Sequence, residues 1–232
     1  FADLGAEVIK IEEPGRGDYL RAFPPLGKTQ SALFTALNRG KRSITINLKH
    51  NAGRALLLDL ARGADVLVEG FRPGVLARLG LEYQTLKATN PRLIVCAISG
   101  YGHTGPKANR AGYDIIAQGE AGLMALTGPV DDGPSRFPSP MADISGGIYT
   151  CLGVLTALYA RDNRAAGSGR GEFVDVALVD AQLSWLANIG ASYFATGKRP
   201  PRLGNAHPNV TPYQPVRAKD KTMIIAVGNE RL

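Results

Sequence analysis

Cysteine is scarce in this chain, and long apolar runs are absent. The 232 residues contain two cysteines, Cys96 and Cys151, and both lie in apolar stretches. Two cysteines cannot form a disulfide framework, so the sequence favours a reducing compartment, and we expect a cytoplasmic protein. No apolar run reaches the roughly 18 residues of a membrane span, and no secretory signal is recognisable. We therefore expect no membrane partner.

Several motifs that would assign a function directly are also missing. The chain has no phosphate-binding loop with its lysine, no paired CxxC and no Gly-x-Ser-x-Gly elbow. Its histidines, His50, His103 and His207, are far apart and lack the spacing of metal ligands, so no metal site is expected. Each is interpreted as a surface or hydrogen-bonding histidine.

The charge is positive but dispersed. Lysine and arginine total 27 against 20 acidic residues, which gives a net charge of +7. These basic residues are spread over several loops without interleaved aromatics, so only the charge supports a nucleic-acid partner, and none is expected. The same charge suits a small anionic ligand that carries several phosphates equally well.

The order of apolar segments predicts the fold class. Hydrophobic residues make up 44% of the chain and charged residues 20%, which is typical of a globular protein. Apolar strands alternate with helices, which predicts an α/β fold with a parallel sheet covered on both faces. The predicted strands are 7–12, 43–48, 65–69, 93–99 and 173–178; the predicted helices are 31–38, 51–61, 74–79, 83–89, 113–124, 144–161 and 179–196.

The two ends of the sequence suggest a piece of a longer protein. Residues 1–5 resemble the last turn of a helix closed by a glycine, and the sequence stops just after a strand-like run at 223–227. We expect a large domain over residues 1–174, incomplete at its N-terminus. A helix and a proline-rich linker follow over 175–205, and a small domain begins at 206–232.

The residues with the clearest chemical potential lie at 141–147. Asp143 follows a loop punctuated by prolines and precedes an apolar helical run. The simpler interpretation is a helix N-cap that accepts backbone N–H groups. A carboxylate at a helix start can also act as a nucleophile. Gly146 and Gly147 each cost up to about 1 kcal/mol in a helix interior, which suggests that a ligand or another backbone comes close.

Several blocks resemble one known family in its own order. They are residues 3–12, 38–44, 65–74, 99–102, 112–114, 142–143, 205–208 and 212–214. Together they make the chain similar to the family III CoA-transferases (CaiB/BaiF family), which include formyl-CoA and carnitine CoA-transferases. The resemblance implies a Rossmann-like large domain and an interlocked homodimer. It implies no metal, flavin or nicotinamide, because coenzyme A enters as part of the substrate.

The resemblance also implies roles for individual residues. Asp143 matches the family's catalytic aspartate, which attacks an acyl-CoA and passes through anhydride and aspartyl-CoA thioester intermediates to a carboxylic acid. Tyr113 and Asp114 match residues beside that nucleophile, where a cap is the simpler interpretation of Asp114. Backbone N–H groups near Gly146 are candidate oxyanion donors.

Six further positions match residues that hold or line the coenzyme A groove. They are Ile46, Lys49, Phe71, Val75, Arg78 and Leu79. Their simpler interpretations are a core side chain for Phe71 and solvated charges for Lys49 and Arg78. Two positions depart from the family: Glu13 replaces an arginine that some relatives use for coenzyme A, and Gly70 replaces an asparagine.

Three alternatives stay open. An α-methylacyl-CoA racemase shares this fold, but the racemases place a histidine where this chain has Tyr113, and an ordinary tyrosine with a pKa near 10 is a poor base. A non-catalytic coenzyme A-binding relative is disfavoured by Asp143, and a nucleic-acid binder rests on charge alone.

His207 and Tyr213 are expected to shape the entry to the small domain. The sequence identifies neither the acyl donor nor the acceptor acid, so oxalate, succinate, carnitine-like acids and aromatic acids all stay open.

Overall fold

The computed structural model describes residues 1–28, 30–163 and 165–229 as two compact units. One unit comprises residues 1–97 and 150–174, and the other comprises residues 98–149 and the chain from residue 175 onward. The predicted limit between 174 and 175 coincides with one of the points where the chain passes between the units. The limit between 205 and 206 stays a prediction.

The described residues form strands and α-helices in alternation over most of their length. In chain order these elements are β1 (Val8–Glu12), α1 (Ala32–Asn38), β2 (Lys41–Thr45), α2 (Asn51–Arg62), β3 (Val66–Glu69), α3 (Val75–Arg78), α4 (Tyr83–Thr89), β4 (Ile94–Ser99), α5 (Asp114–Glu120), α6 (Leu123–Leu126), α7 (Met141–Asp162), β5 (Phe173–Ala177), α8 (Leu178–Leu183), α9 (Ala187–Thr196), β6 (Tyr213–Arg217) and β7 (Thr222–Ala226).

The sheets confirm the predicted α/β class. Strands β1 and β2 pair in parallel, and so do β3 and β4. Strand β4 lies between β3 and β5 in a three-stranded sheet. Parallel neighbours need a crossover connection, which α1 provides between β1 and β2, and α3 and α4 provide between β3 and β4. Strands β6 and β7 form an antiparallel hairpin in the region expected to begin the small domain.

Each unit has its own small apolar core. In the first unit Leu86 and Val95 are buried against Ala61 and Leu93. In the second unit Ala117, Ala142 and Leu178 form the buried cluster. Two of these three residues are alanines, so α5, α7 and α8 pack closely where they meet. This packing positions the first turn of α7.

Two glycines of the second unit also make a close approach possible. A Cβ built on Gly100 would lie 2.4 Å from the Cα of Gly112, and a Cβ on Gly112 would lie 2.2 Å from the Cα of Gly100. The end of β4 and the segment that leads into α5 therefore touch through their backbones. Neither position has room for a side chain.

The structure corrects four local expectations. The helix predicted over 179–196 is broken by a 3-10 turn at Ser184–Leu186, and the helix predicted over 113–124 is interrupted at Gly122, which has a φ of 91°. The strand predicted over 43–48 ends at Thr45. Asn51 is a plausible cap of the helix predicted over 51–61, but His50 caps α2 instead, because its Nδ1 accepts the Ala52 N–H at 3.3 Å.

Helix α7 extends over 22 residues with a mean hydropathy of 1.4 in its most apolar stretch, so by length and composition it could cross a membrane. A helix in the core of a folded domain passes the same test, so this is weak support for a membrane span. The expectation of no membrane partner stays a prediction.

Candidate active site

Asp143 lies in the first turn of α7, and it does not cap the helix. The N-cap interpretation is wrong because other groups accept the first N–H groups of α7. The Met141 N–H donates to the Ser139 carbonyl at 2.8 Å, and the Ala142 N–H donates to the Asp114 carboxylate at 2.8 Å. Among the described residues, the Asp143 carboxylate has no hydrogen-bond or ion-pair partner, and the residue is exposed. Its carboxylate is therefore free to react.

The surroundings of Asp143 make its carboxylate more basic than usual. Partial desolvation by the surrounding protein raises the pKa of Asp143, and the negative charge of Asp114 raises this pKa further. Solvent still reaches the group, since the residue is exposed. A more basic carboxylate is a better nucleophile, and raised pKa values of this kind concentrate at functional sites.

Asp114 ties α5 to the first turn of α7. It is the first residue of α5, directly after Tyr113. Its Oδ1 accepts the Ala142 N–H at 2.8 Å, and its Oδ2 accepts from Nε2 of Gln118 at 2.7 Å. Asp114 is thus a cap, as the simpler interpretation held, but for α7 and not for its own helix. Tyr113 is exposed and makes no side-chain cap hydrogen bond.

Gln118 is a residue of this region that the sequence analysis did not single out. It is fully buried in α5, four residues after Asp114. Its Oε1 accepts the Phe137 N–H at 2.9 Å, and its Nε2 lies 3.3 Å from the Ser139 carbonyl oxygen. The available signal was the spacing, since residues i and i+4 share a helix face.

The two glycines after Asp143 have different environments. A Cβ on Gly146 would lie 2.6 Å from Cδ2 of Leu178, whereas a Cβ on Gly147 would have no atom of the described residues within 4 Å beyond its own stretch of helix. Packing against Leu178 is sufficient to explain a glycine at 146, and its N–H lies in the helix interior. Its role in substrate binding stays a prediction. Gly147 leaves open space one turn beyond Asp143, on the same helix face.

A cavity of about 250 Å³ lies further along α7 in the same unit. Its polar groups already have partners, since the Tyr149 hydroxyl donates to Oγ of Ser184 at 2.7 Å and that Oγ donates to the Ala181 carbonyl at 2.8 Å. The lining residues are Ser145, Ile148, Tyr149, Ser184 and Trp185.

The six predicted groove residues all lie in the first unit, after the carboxyl ends of two parallel strands. Ile46 and Lys49 follow β2, and Phe71 follows β3. Ligands of α/β proteins commonly bind beyond such strand ends. Phe71 is 43% exposed, so the core interpretation of this ring is wrong. The remaining three share α3 or its end, at the i, i+3 and i+4 spacing of one helix face: Val75, Arg78 and Leu79.

Glu13 occupies the position where some relatives have an arginine. It is exposed and forms an ion pair with Arg16. Its neighbour Glu12 is buried at the end of β1, where Nε and Nη2 of Arg21 each donate to it at 2.7 Å. These bonds, with one from Ser43, hold the pKa of Glu12 far below its usual range. A cavity of about 210 Å³ adjoins the pair at the ends of β1 and β2.

The described part of the chain contains no group of three histidine, cysteine, aspartate or glutamate residues placed to hold a metal ion. His50 and His207 each have a ring nitrogen that accepts a backbone N–H, from Ala52 and Asn209 respectively. This confirms their interpretation as hydrogen-bonding histidines. The His207 ring also packs against Tyr213, with centroids 5.1 Å apart.

Comparisons with known proteins agree with one another. The model of CoA-transferase family III matches residues 1–232. The chain is 44% identical over 233 residues to acetyl-CoA:oxalate CoA-transferase of Acetobacter aceti, covering all of this chain and 59% of the relative. It is 45% identical over 237 residues to succinate–glutarate CoA-transferase of Agrobacterium fabrum, covering 99% of this chain and 58% of the relative.

A solved structure shows the same fold. A CaiB/BaiF family protein from Brucella suis superposes with a TM-score of 0.88 at 45% identity, covering 99% of this chain and 61% of that one. The chain therefore spans little more than half the length of the relatives it matches.

Proposed function

Because this chain belongs to CoA-transferase family III, we propose that the full-length protein transfers coenzyme A from an acyl-CoA to a free carboxylic acid. The observation that carries the proposal is the state of Asp143. Its carboxylate is exposed, has no partner among the described residues, and sits on a helix turn that Asp114 holds in place. The names of the two relatives, which specify oxalate and succinate–glutarate, support dicarboxylic acids as substrates.

The proposed reaction uses Asp143 as a nucleophile. One carboxylate oxygen adds to the thioester carbonyl, and the C–S bond breaks to give a mixed anhydride and the coenzyme A thiolate. The thiolate then adds to the aspartyl carbonyl, which releases the donor acid as a carboxylate and leaves a thioester on Asp143. An incoming carboxylate reverses the two steps. No proton is gained or lost overall, so the site needs a nucleophile and oxyanion stabilisation more than a general base.

The first unit supplies the proposed binding surface for coenzyme A. Phe71 offers an exposed ring for the adenine face, and Arg78 and Lys49 offer cations for phosphates. All three are exposed and follow strand ends. Position 13 is a glutamate that pairs with Arg16. The contact that an arginine makes with coenzyme A at this position in some relatives is therefore not part of the proposal.

The apolar face of α7 supports the proposed homodimer. Side chains recurring every three or four residues along one face of α7 are between 46% and 71% exposed. An apolar stripe of this kind usually marks a contact with another protein surface. A second copy of the chain would cover it in a symmetric assembly. The stripe consists of Ile144, Ile148, Leu152, Leu155 and Tyr159.

The test uses the full-length protein in deuterated water with succinyl-CoA and a panel of carboxylic acids, and with a branched 2-methylacyl-CoA in parallel. We expect new acyl-CoA species by mass spectrometry and a coenzyme A adduct on the peptide that contains Asp143. Both disappear in Asp143→Asn. Asp59→Asn is the matched control, because Asp59 is an exposed helical aspartate of the other unit that pairs with Arg62.

Two results contradict the proposal. Transfer of coenzyme A by Asp143→Asn would show that Asp143 is not the nucleophile. Deuterium at the α position of the branched substrate, without exchange of acids, would identify a racemase and show that the argument from Tyr113 was wrong.

A further inference from the structure

We propose that Gln118 is a positioning residue of the transfer reaction, which holds the first turn of α7, and with it Asp143, in its reactive place. The inference deepens the proposed function and rests on it. Among the described residues, the Gln118 side chain forms hydrogen bonds with Asp114, Phe137 and Ser139, and none with the Asp143 carboxylate. It acts through the Asp114 carboxylate and through the loop that leads into α7.

The side-chain amide of Gln118 uses its donor and its acceptor in different directions. Nε2 donates to Oδ2 of Asp114 at 2.7 Å, while Oε1 accepts the Phe137 N–H at 2.9 Å. Nε2 also lies 3.3 Å from the Ser139 carbonyl oxygen. The residue is fully buried, so water does not replace these partners. An ionised glutamate lacks the donor and leucine lacks both groups, so of these three side chains only the amide satisfies the arrangement at every pH.

Two paths lead from Gln118 to the nucleophile. The first passes through Asp114, whose other oxygen accepts the Ala142 N–H at 2.8 Å; Ala142 directly precedes Asp143. The second passes through Ser139, whose carbonyl accepts the Met141 N–H at 2.8 Å. Both reach the first turn of α7. Misplacing a reacting group by about 1 Å can lower a rate roughly a hundredfold, so a residue that fixes this turn affects catalysis.

A second glutamine in the same unit provides a matched control. Gln182 in α8 is also fully buried, but neither of its amide atoms has a hydrogen-bond partner among the described residues. Replacing it removes a buried glutamine without removing a contact to the loop or to Asp114. It therefore separates the burial of a glutamine from the hydrogen bonds of Gln118.

The decisive variant is Gln118→Glu in the full-length protein. The new carboxyl faces Asp114, so its pKa is raised, and buried glutamates reach pKa values of about 8 to 9. When protonated it donates to Asp114 as the amide does; when ionised it repels Asp114. Activity relative to the wild type should therefore fall as the pH rises from 6 to 8.5. The charged side chains on the surrounding elements are Asp114 and Glu120 on α5, Asp131, Asp132 and Arg136 in the loop before α7, Asp143, Arg161 and Asp162 on α7, and Asp180 on α8.

The experiment measures kcat and KM for succinyl-CoA across this pH range in the wild type, Gln118→Glu, Gln118→Leu and Gln182→Leu, with circular dichroism at each pH. We expect kcat of Gln118→Glu to fall about ten- to a hundredfold at pH 8.5 and to recover toward pH 6, with KM changed less than about twofold. Gln118→Leu stays low at every pH, and Gln182→Leu keeps the wild-type kcat. If Gln118→Glu is folded and the ratio of its kcat to the wild-type kcat does not change with pH, the proposal is overturned. A wild-type kcat in Gln118→Leu overturns it as well.

Amide hydrogen exchange separates this inference from the proposed function. If the wild type transfers no coenzyme A, the proposed function fails. Amide exchange over residues 137–143 still shows whether the hydrogen bonds of Gln118 hold the loop and the first turn of α7. Faster exchange there in Gln118→Leu than in Gln182→Leu supports the anchoring role, and equal exchange overturns it.

Discussion

Adjacent glycines on α7 should respond in opposite ways to the same change. Alanine in place of glycine stabilises a helix interior by about 0.5–1 kcal/mol, because glycine loses more conformational freedom on folding. Gly147→Ala should gain this amount, since no described residue outside its own stretch of helix lies within 4 Å of the added methyl group. Gly146→Ala gains the same propensity but places its Cβ 2.6 Å from Cδ2 of Leu178.

The cost at Gly146 follows from the packing of Leu178. The Leu178 side chain belongs to the buried cluster with Ala117 and Ala142, so its tip has little room to turn away. Overpacking of a filled core costs about 1–3 kcal/mol. The helix propensity is common to both variants and cancels. The free energies of unfolding of the two variants should therefore differ by about 1–3 kcal/mol, in favour of Gly147→Ala.

Thermal unfolding of the full-length protein checks this difference. For a domain of this size, 1 kcal/mol corresponds to about 2–4 °C in Tm. We expect the Tm of Gly147→Ala to equal or exceed that of the wild type and the Tm of Gly146→Ala to lie below it. Leu178→Ala makes room for the added methyl group, so Gly146→Ala should lower the Tm less when Leu178→Ala is already present. A Tm of Gly146→Ala equal to that of Gly147→Ala would refute the packing argument and leave a ligand as the reason for Gly146.

Three further predictions follow from the same geometry. Asp114→Asn removes a negative charge that raises the pKa of Asp143, so the acid limb of the pH profile of kcat should move to lower pH; an unmoved limb would show that the charge has no influence. Glu12 has a folded-state pKa below its usual value of 4.5, so its stabilisation is present above pH 4.5 and lost as the pH falls. Glu12→Gln should therefore lower the Tm at pH 7 more than at pH 3, and equal losses would contradict this. Gly112→Ala should destabilise by about 1–3 kcal/mol or more, measured by Tm, because the backbone at Gly100 must move.

The sequence predicted the repeating elements well because burial on one face imposes a regular pattern. The helix expected over 83–89 is observed at those residues, and the one expected over 144–161 extends only a turn further, over Met141–Asp162. The break at Ser184–Leu186 was not predictable, since the segment is mostly apolar and has no glycine or proline at that point. Composition does not distinguish an α-helix from a 3-10 turn there.

The site was predicted where its chemistry lies in short blocks. Asp143 and Asp114 could be proposed because each belongs to a recognisable local motif. The hydrogen bonds between Gln118 and Phe137 join residues 19 positions apart, and no local sequence pattern predicts them. Hydrogen bonds to a loop backbone depend on the path of that loop, which the residue types alone do not specify.

The contact between Gly100 and Gly112 affects how the loop between them can vary. The two backbones meet, so the loop leaves and returns at one fixed point, as if it were a closed ring attached to the end of β4. Closing a longer ring costs little, about 0.6 kcal/mol for a doubling of length. Insertions between residues 103 and 110 should therefore lengthen the ring without displacing Asp114, which lies two residues beyond its closing point. The point of closure, and with it the position of Asp114, should therefore not depend on the length of the loop.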